Sequence, residues 1–158
     1  MNTPDTKIDT RPALPDALQA LVVKDHVHLG GLSQPQRLQA LALIWASLPR
    51  SPHDERGINE ALKAVLAGAA AFAATDHVEL RRWLVDMGFL ARDGYGRVYE
   101  RVAFGSLPAA AKAAAEGLQG FEAAMLAAVC QALRAQHAAR RRARHAAWAA
   151  QANVPAAE

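Results

Sequence analysis

The sequence predicts a mainly α fold that carries one small β-hairpin and ends in a long Ala-rich helix. Three observations predict it. Of the 158 residues 38 are alanine against ten glycines, a composition that favours helix. Apolar residues recur at spacings of three and four behind recognisable N-caps. Residues 89–102 break that rhythm, with an Asp93-Gly94 turn between β-branched and aromatic flanks. A chain of this length suits one domain with an extension and can bury a real core. Alanine makes up nearly half of the apolar class, so the nine aromatic residues carry much of the packing.

Taken in order, residues 1–12 read as a disordered lead, and Pro15-Asp16 opens a short helix that runs to Leu21. Residues 26–29 read as a short strand closed by Gly30-Gly31. Ser33 caps the first long helix, with Pro35 in its first turn and Gln36 placed to reach back. Leu38, Leu41, Leu43, Ile44 and Leu48 form its apolar stripe, and Pro49 and Pro52 bracket its end. Ser51 or Asp54 starts the next helix, with Ile58, Leu62, Val65 and Leu66 inward, and Gly68 and the alanines after it loosen the connection. Asp76 and Glu79 have capping-box spacing for a third helix with Leu80, Leu84 and Met87 inside, and Gly88 is placed to end it.

After the hairpin, Ser106-Leu107-Pro108 opens a tail that reads as helical to about Ala150, broken or kinked at Gly117 and Gly120. Leu118, Phe121, Met125, Leu126, Val129 and Leu133 form an apolar seam, after which large apolar residues stop until Trp148. As one helix, residues 119–150 would measure roughly 45–50 Å, more than a small domain is wide, so pairing with a second copy through this helix is expected. Helix, short extended piece, helix, helix, hairpin is the order of a winged helix–turn–helix. The predicted division is a winged-helix-like domain over 13–104, a helical tail for dimerisation and basic contacts over 105–152, and a disordered end over 153–158.

The net charge is +3, but residues 1–106 carry twelve basic and twelve acidic side chains. The excess lies in the tail, where residues 129–150 hold five arginines and no acid. Such a helix can meet nucleic acid, an acidic partner or a membrane surface, or it can be a solvated helix end that complements the macrodipole. Trp148 as the one large apolar residue nearby argues against the membrane. Cys130 has no partner cysteine, which excludes an intrachain disulfide and a cysteine zinc cluster. The apolar run over 61–74 is too short to span a bilayer and is interrupted by Lys63 and Gly68. The polar opening residues read as neither a secretory signal nor a transit peptide, so a cytoplasmic protein is expected.

Residues 54–62 (Asp-Glu-Arg-Gly-Ile-Asn-Glu-Ala-Leu), residues 76–92 (Asp-His-Val-Glu-Leu-Arg-Arg-Trp-Leu-Val-Asp-Met-Gly-Phe-Leu-Ala-Arg) and the Gly96-x-x-Tyr99 that follows form a pattern. It resembles a bacterial domain-of-unknown-function family, number two-zero-eight-seven, built around Leu-Arg-Arg-x-Leu-Val-Asp-x-Gly. The resemblance covers about residues 17–103 and is strongest over 76–101. It implies a domain that occurs alone or joined to helix–turn–helix regulators, and it brings no established activity. The chain departs from the family pattern at residues 28–32, where a basic run is usual, and at Gly57, where an acidic residue is usual.

If the third helix reads DNA, His77 and Arg81 near its start are placed to meet phosphates or base edges, while Arg82 and Asp86, with Glu79, have the spacing of a structural charge ladder. Arg92 and Arg97 flank the hairpin turn as phosphate contacts of a wing, interrupted by Asp93 and Glu100. Arg140, Arg141, Arg142 and Arg144 would add non-specific electrostatic hold. His26 and His28 share one strand face as a weak metal pair without a fixed third ligand. Nothing matches a phosphate-binding glycine loop, a nucleophile elbow or a metal-binding helix pair, so neither an enzyme nor a cofactor is expected. The leading expectation is a dimeric winged-helix protein that binds double-stranded DNA and regulates transcription. The alternatives are a protein–protein interaction module with the same body, supported by its neutral charge, and a metal- or ligand-sensing domain.

Overall fold

The computed structural model describes residues 13–153 and residue 155. The expected lead over 1–12 and most of the expected disordered end lie outside the described residues. Six helices and one hairpin follow in order: α1 (Asp16–Val22), α2 (Gln34–Ser47), α3 (Glu55–Ala67), α4 (His77–Asp86), β1 (Leu90–Arg92), β2 (Tyr99–Arg101), α5 (Ala109–Ala115) and α6 (Ala123–Ala152), with single 3-10 turns at Leu29–Gly31, Phe104–Ser106 and Glu116–Leu118.

Each helix start has a chemical cause. The Pro15 carbonyl accepts from the N–H groups of Leu18 and Gln19 at 2.9 and 3.0 Å and launches α1, which buries Leu18, Leu21 and Val22. Ser33 Oγ accepts the Gln36 N–H at 3.4 Å, and its hydroxyl donates to Gln36 Oε1 at 3.2 Å, so the Gln36 side chain reaches the capping hydroxyl. Asp54, not Ser51, caps α3: its Oδ1 accepts the Gly57 N–H at 2.7 Å. Asp76 Oδ1 accepts the Glu79 N–H at 2.8 Å, while the Glu79 carboxylate accepts from the Thr75 hydroxyl at 2.8 Å instead of closing a reciprocal box.

The expected strand at 26–29 does not form. His26 has φ +54, which turns the chain out of extended geometry, and Val27 alone makes a parallel bridge to Ala73. The extended piece that the hairpin uses lies one helix later. His53, between α2 and α3, exchanges both backbone hydrogen bonds with Tyr99 at 2.8 Å and adds a third rung beside β2. β1 and β2 pair antiparallel, with Ala91 opposite Glu100. Asp93 holds the turn: its Oδ1 accepts from the N–H groups of Arg97 at 2.7 Å and Val98 at 3.2 Å.

One hydrophobic core runs from Leu14 to Cys130. Residues 40–46 of α2 are buried without exception. The stretch expected as a tail from residue 105 contributes Leu107, Ala111, Ala114, Ala115, Leu118, Phe121, Leu126 and Cys130 to that same core. No division of the core falls at residue 104. The helical tail breaks where expected, over residues 119–122, so that α5 turns back onto α2 before α6 begins.

Gly88 joins α4 to the hairpin. Its N–H donates to the Val85 carbonyl at 3.2 Å, and the next N–H, of Phe89, reaches back to the Leu84 carbonyl at 2.9 Å, which is a Schellman end. Gly88 has φ +84, and a Cβ there would sit 2.5 Å from Cγ of Pro108. Gly88→Ala is therefore expected to destabilise by about 2–4 kcal/mol, from left-handed backbone and overlap together. Gly94→Ala, where a Cβ meets nothing within 4 Å, should stay within about 0.5 kcal/mol. Urea denaturation of both variants checks this, and equal stabilities would refute it.

Candidate functional site

The outward face of α4 and the adjoining hairpin enclose a groove of about 310 Å³ lined by Val78, Arg81, Arg82, Val85, Asp86, Arg92 and Tyr99. The inner stripe Leu80 and Leu84 turns Val78, Arg82 and Asp86 outward, and the short hairpin brings Arg92 of β1 to the other side. Tyr99 is buried beneath.

The two central arginines exchange the parts expected of them. Arg81 is largely covered, with 18% of its side chain exposed. Its Nη1 donates to Asn59 Oδ1 at 2.7 Å and lies 3.5 Å from Glu55 Oε1, both on α3, while its guanidinium stands 5.2 Å from the Tyr99 ring centroid. It clamps α3, α4 and β2 together. Arg82 is exposed and makes no ion pair with Asp86 among the described residues, so the expected structural pair does not form. Glu79, the third member of the expected ladder, is held by Thr75 instead. Arg82 is thus the available cation of α4. His77 is the half-buried first residue of that helix.

On the hairpin, Arg92 and Arg97 are both exposed, and Arg97 lies 5.7 Å from the ring of Tyr95 at the tip. Arg101 turns inward: its Nη1 donates to the Leu48 carbonyl at 3.1 Å and its guanidinium covers the Trp45 ring at 4.0 Å.

The apolar seam of α6 serves its own chain. Leu126 and Cys130 are buried, Val129 and Leu133 are partly buried, and only Met125 among the large seam residues stays exposed. Burial raises the Cys130 thiol to about 11, so it is a packing group and not a nucleophile at neutral pH. Arg134 then ties α6 to the end of α1, where its guanidinium donates to the carbonyls of Val22 at 3.0 Å and Lys24 at 2.7 Å and to Asp25 Oδ1 at 2.6 Å. That hydrogen bond and the Arg134 charge hold the Asp25 carboxyl below its ordinary value of 3.8. The pairing is intact above that value and is lost as pH falls through the lowered folded-state value. Sequence reasoning placed Arg134 in the basic tail. Its spacing of four from Cys130 and eight from Leu126 was the signal that it faces the body.

Beyond Ala138 the helix is solvent-exposed at Arg140, Arg141, Arg142 and Arg144, none of which meets a carboxylate among the described residues. The exposed half extends roughly 20 Å. Near its end the rings of His145 and Trp148 stack at 6.2 Å. His26 and His28 are both exposed, and the turn at His26 removes the shared strand face. No cluster of three metal-capable side chains occurs among the described residues. No helix among them is long and apolar enough to cross a membrane.

Residues 33–101 match the family model described as an uncharacterized protein conserved in bacteria (DUF2087). The match takes in α2, α3, α4 and the hairpin, and is shorter than the resemblance read over 17–103 because α1 lies outside it. No curated protein and no solved structure matches the chain.

Arg81→Ala should cost about 1–2 kcal/mol in chemical denaturation, because it leaves Asn59 and a covered helix junction without a donor. Arg82→Ala should cost less than about 0.5 kcal/mol. The opposite ranking would return the structural part to Arg82.

Proposed function

We propose that this DUF2087 domain, with the long helix that follows it, is a winged-helix protein that binds double-stranded DNA and acts in transcriptional regulation. What carries the reading is the placement of residue 53. Its bridge to Tyr99 supplies the short extended piece between the first and second helices of a winged helix, and so sets the hairpin beside the outward face of α4. Arg82 on α4 and Arg92 on the hairpin line one groove, and Arg97 is exposed by Tyr95 near the hairpin tip; we read all three as phosphate contacts, with His77 at the start of the helix. Arg81 is a positioning residue for this surface and does not contact DNA.

Glu79 and Asp86 offset Arg82 on α4, so the body supplies geometry more than attraction. The attraction comes from Arg140, Arg141, Arg142 and Arg144 on the exposed half of α6. Pairing two chains along that half would bring two sets of like charges together, and for that reason we read it as a grip on a polyanion and not as a homodimer seam. Such a protein is a binding protein without an enzymatic step and works in the cytoplasm, beside the chromosome.

One observation favours a second reading. Val78 is 43% exposed on α4 and lines the groove with Val85, an apolar pair that suits a protein partner as well as a duplex.

Fluorescence anisotropy of the full chain on a mixed-sequence duplex across a salt series separates the two. Replacing the four tail arginines with Gln should flatten the slope of log K against log salt by about 3–4, close to one phosphate contact each. Arg82→Ala, which removes one phosphate contact, should weaken binding about tenfold at low salt and flatten the slope by about 1. Absence of binding by the full chain at low salt would overturn the DNA reading and leave the protein-partner reading in its place.

A further inference from the structure

The distal half of α6 carries an aromatic side chain that its arginines do not account for. Trp148 is 67% exposed and lies outside the hydrophobic core. Its one aromatic neighbour among the described residues is His145, three positions earlier. That imidazole stacks on the indole with ring centroids 6.2 Å apart and planes 28° from parallel.

Helical spacing sets what surrounds the indole. Arg141, Arg144, His145 and Trp148 share one face, which runs about 10 Å from Arg141 to Trp148. Arg140 and Arg142 flank that face, and Arg141, Arg142, Arg144 and His145 line a shallow recess over Ala138 and Ala146. Alanine fills most of the remaining positions, so nothing bulky shields the ring. Between Glu122 and Glu158 the sequence holds no acid to neutralise the arginines from within the helix. Cations interleaved with an exposed flat ring suit a strand that offers phosphates and free base faces. In a duplex the base faces are hidden in the stack, so the indole gains from a base only where the strand is unpaired. A lipid surface needs a broader apolar face than one tryptophan, and an acidic peptide satisfies the arginines but not the ring.

We infer that the distal half of α6 binds single-stranded nucleic acid, with Arg141 and Arg144 on its phosphates and Trp148 stacked on an unpaired base. His145 is a positioning residue: it backs one face of the indole and leaves the ring open to a base on the other. The inference rests on the reading of this half-helix as a grip on a polyanion and goes beyond it. The arginines serve duplex and single strand alike, whereas the indole favours the strand whose bases are free.

Fluorescence anisotropy of the full chain tests this with an oligothymidylate of about 16 nucleotides, the same backbone without bases, and a mixed-sequence duplex. Oligothymidylate should bind more tightly than the abasic strand and quench the emission of the exposed indole. Trp148→Ala, outside the core, should leave the fold intact, weaken oligothymidylate about tenfold and remove the quenching. Its affinity for the abasic strand and the duplex should not change. Trp148→Phe, which keeps a flat ring, should retain most of the affinity for oligothymidylate, and Arg144→Gln should weaken all three probes. Equal affinity for oligothymidylate and the abasic strand would overturn the inference. So would a Trp148→Ala variant that loses nothing on oligothymidylate, or loses as much on the duplex. Either result leaves the polyanion grip standing, because the arginines still hold the probes. Absence of binding by all three at low salt would overturn that grip, and this inference with it.

Discussion

Residues 40–46 of α2 have no solvent-facing side, and the rest of the molecule is arranged to cover them. A helix buried all round needs a partner on every face. α1, α4, α5 and α6 all pack against it, α5 most extensively. Leu41, Leu43, Ile44 and Trp45 each withdraw enough apolar surface to stabilise by about 1.5–3 kcal/mol. The alanines between them contribute little area, but they let neighbouring helices approach closely. α5 (Ala-Ala-Ala-Lys-Ala-Ala-Ala) meets α2 on the same terms, with Ala111, Ala114 and Ala115 buried. The first half of α6 is held as firmly, by Leu126 and Cys130 inside and by the Arg134 clamp on α1.

The hairpin takes its position from the same helix. Trp45, on α2, donates to the Val102 carbonyl and packs against Phe89 at a ring separation of 6.5 Å. Arg101 lies over that indole at 4.0 Å and holds the Leu48 carbonyl. Its base is thus locked at both strands, while the tip at Tyr95 is 85% exposed. The groove beside α4 follows from this anchored hairpin. Arg81 completes the lock from the α3 side.

Much of this was legible in the residues. Caps at Ser33 and Asp76, the glycine stop at Gly88, the Asp-Gly hairpin and the break near Gly120 each rest on local chemistry, which a single sequence carries. The errors all came from contacts that local chemistry does not encode. The strand read at 26–29 failed because His26 takes a positive φ set by the chain around it. The true extended piece at His53 is only two bonds to a residue far along the chain. Arg81 and Arg82 are neighbours of equal charge, and only the position of Asn59 on a packed α3 distinguishes them. The seam of the long helix is covered by its own chain at Leu126 and Cys130, and alanine hides this burial: nothing in an Ala-rich α5 announces that it lies against α2. In the arginine-bearing half of α6, outside the core, the exposure agrees with the charge that the sequence shows.

The central claim is that α5 and the first half of α6 belong to the body, and that only the distal half of α6 stands apart from it. Native-state hydrogen exchange on the full chain tests this most directly. The account predicts that amides of α5 and of residues 127–133 exchange with the same free energy as those of α2, by global unfolding, while amides of residues 140–152 exchange faster by orders of magnitude. Exchange of α5 and residues 127–133 together with the distal half, well before α2, would contradict it. The body would then end at the hairpin, and all of the sequence beyond would be an appendage.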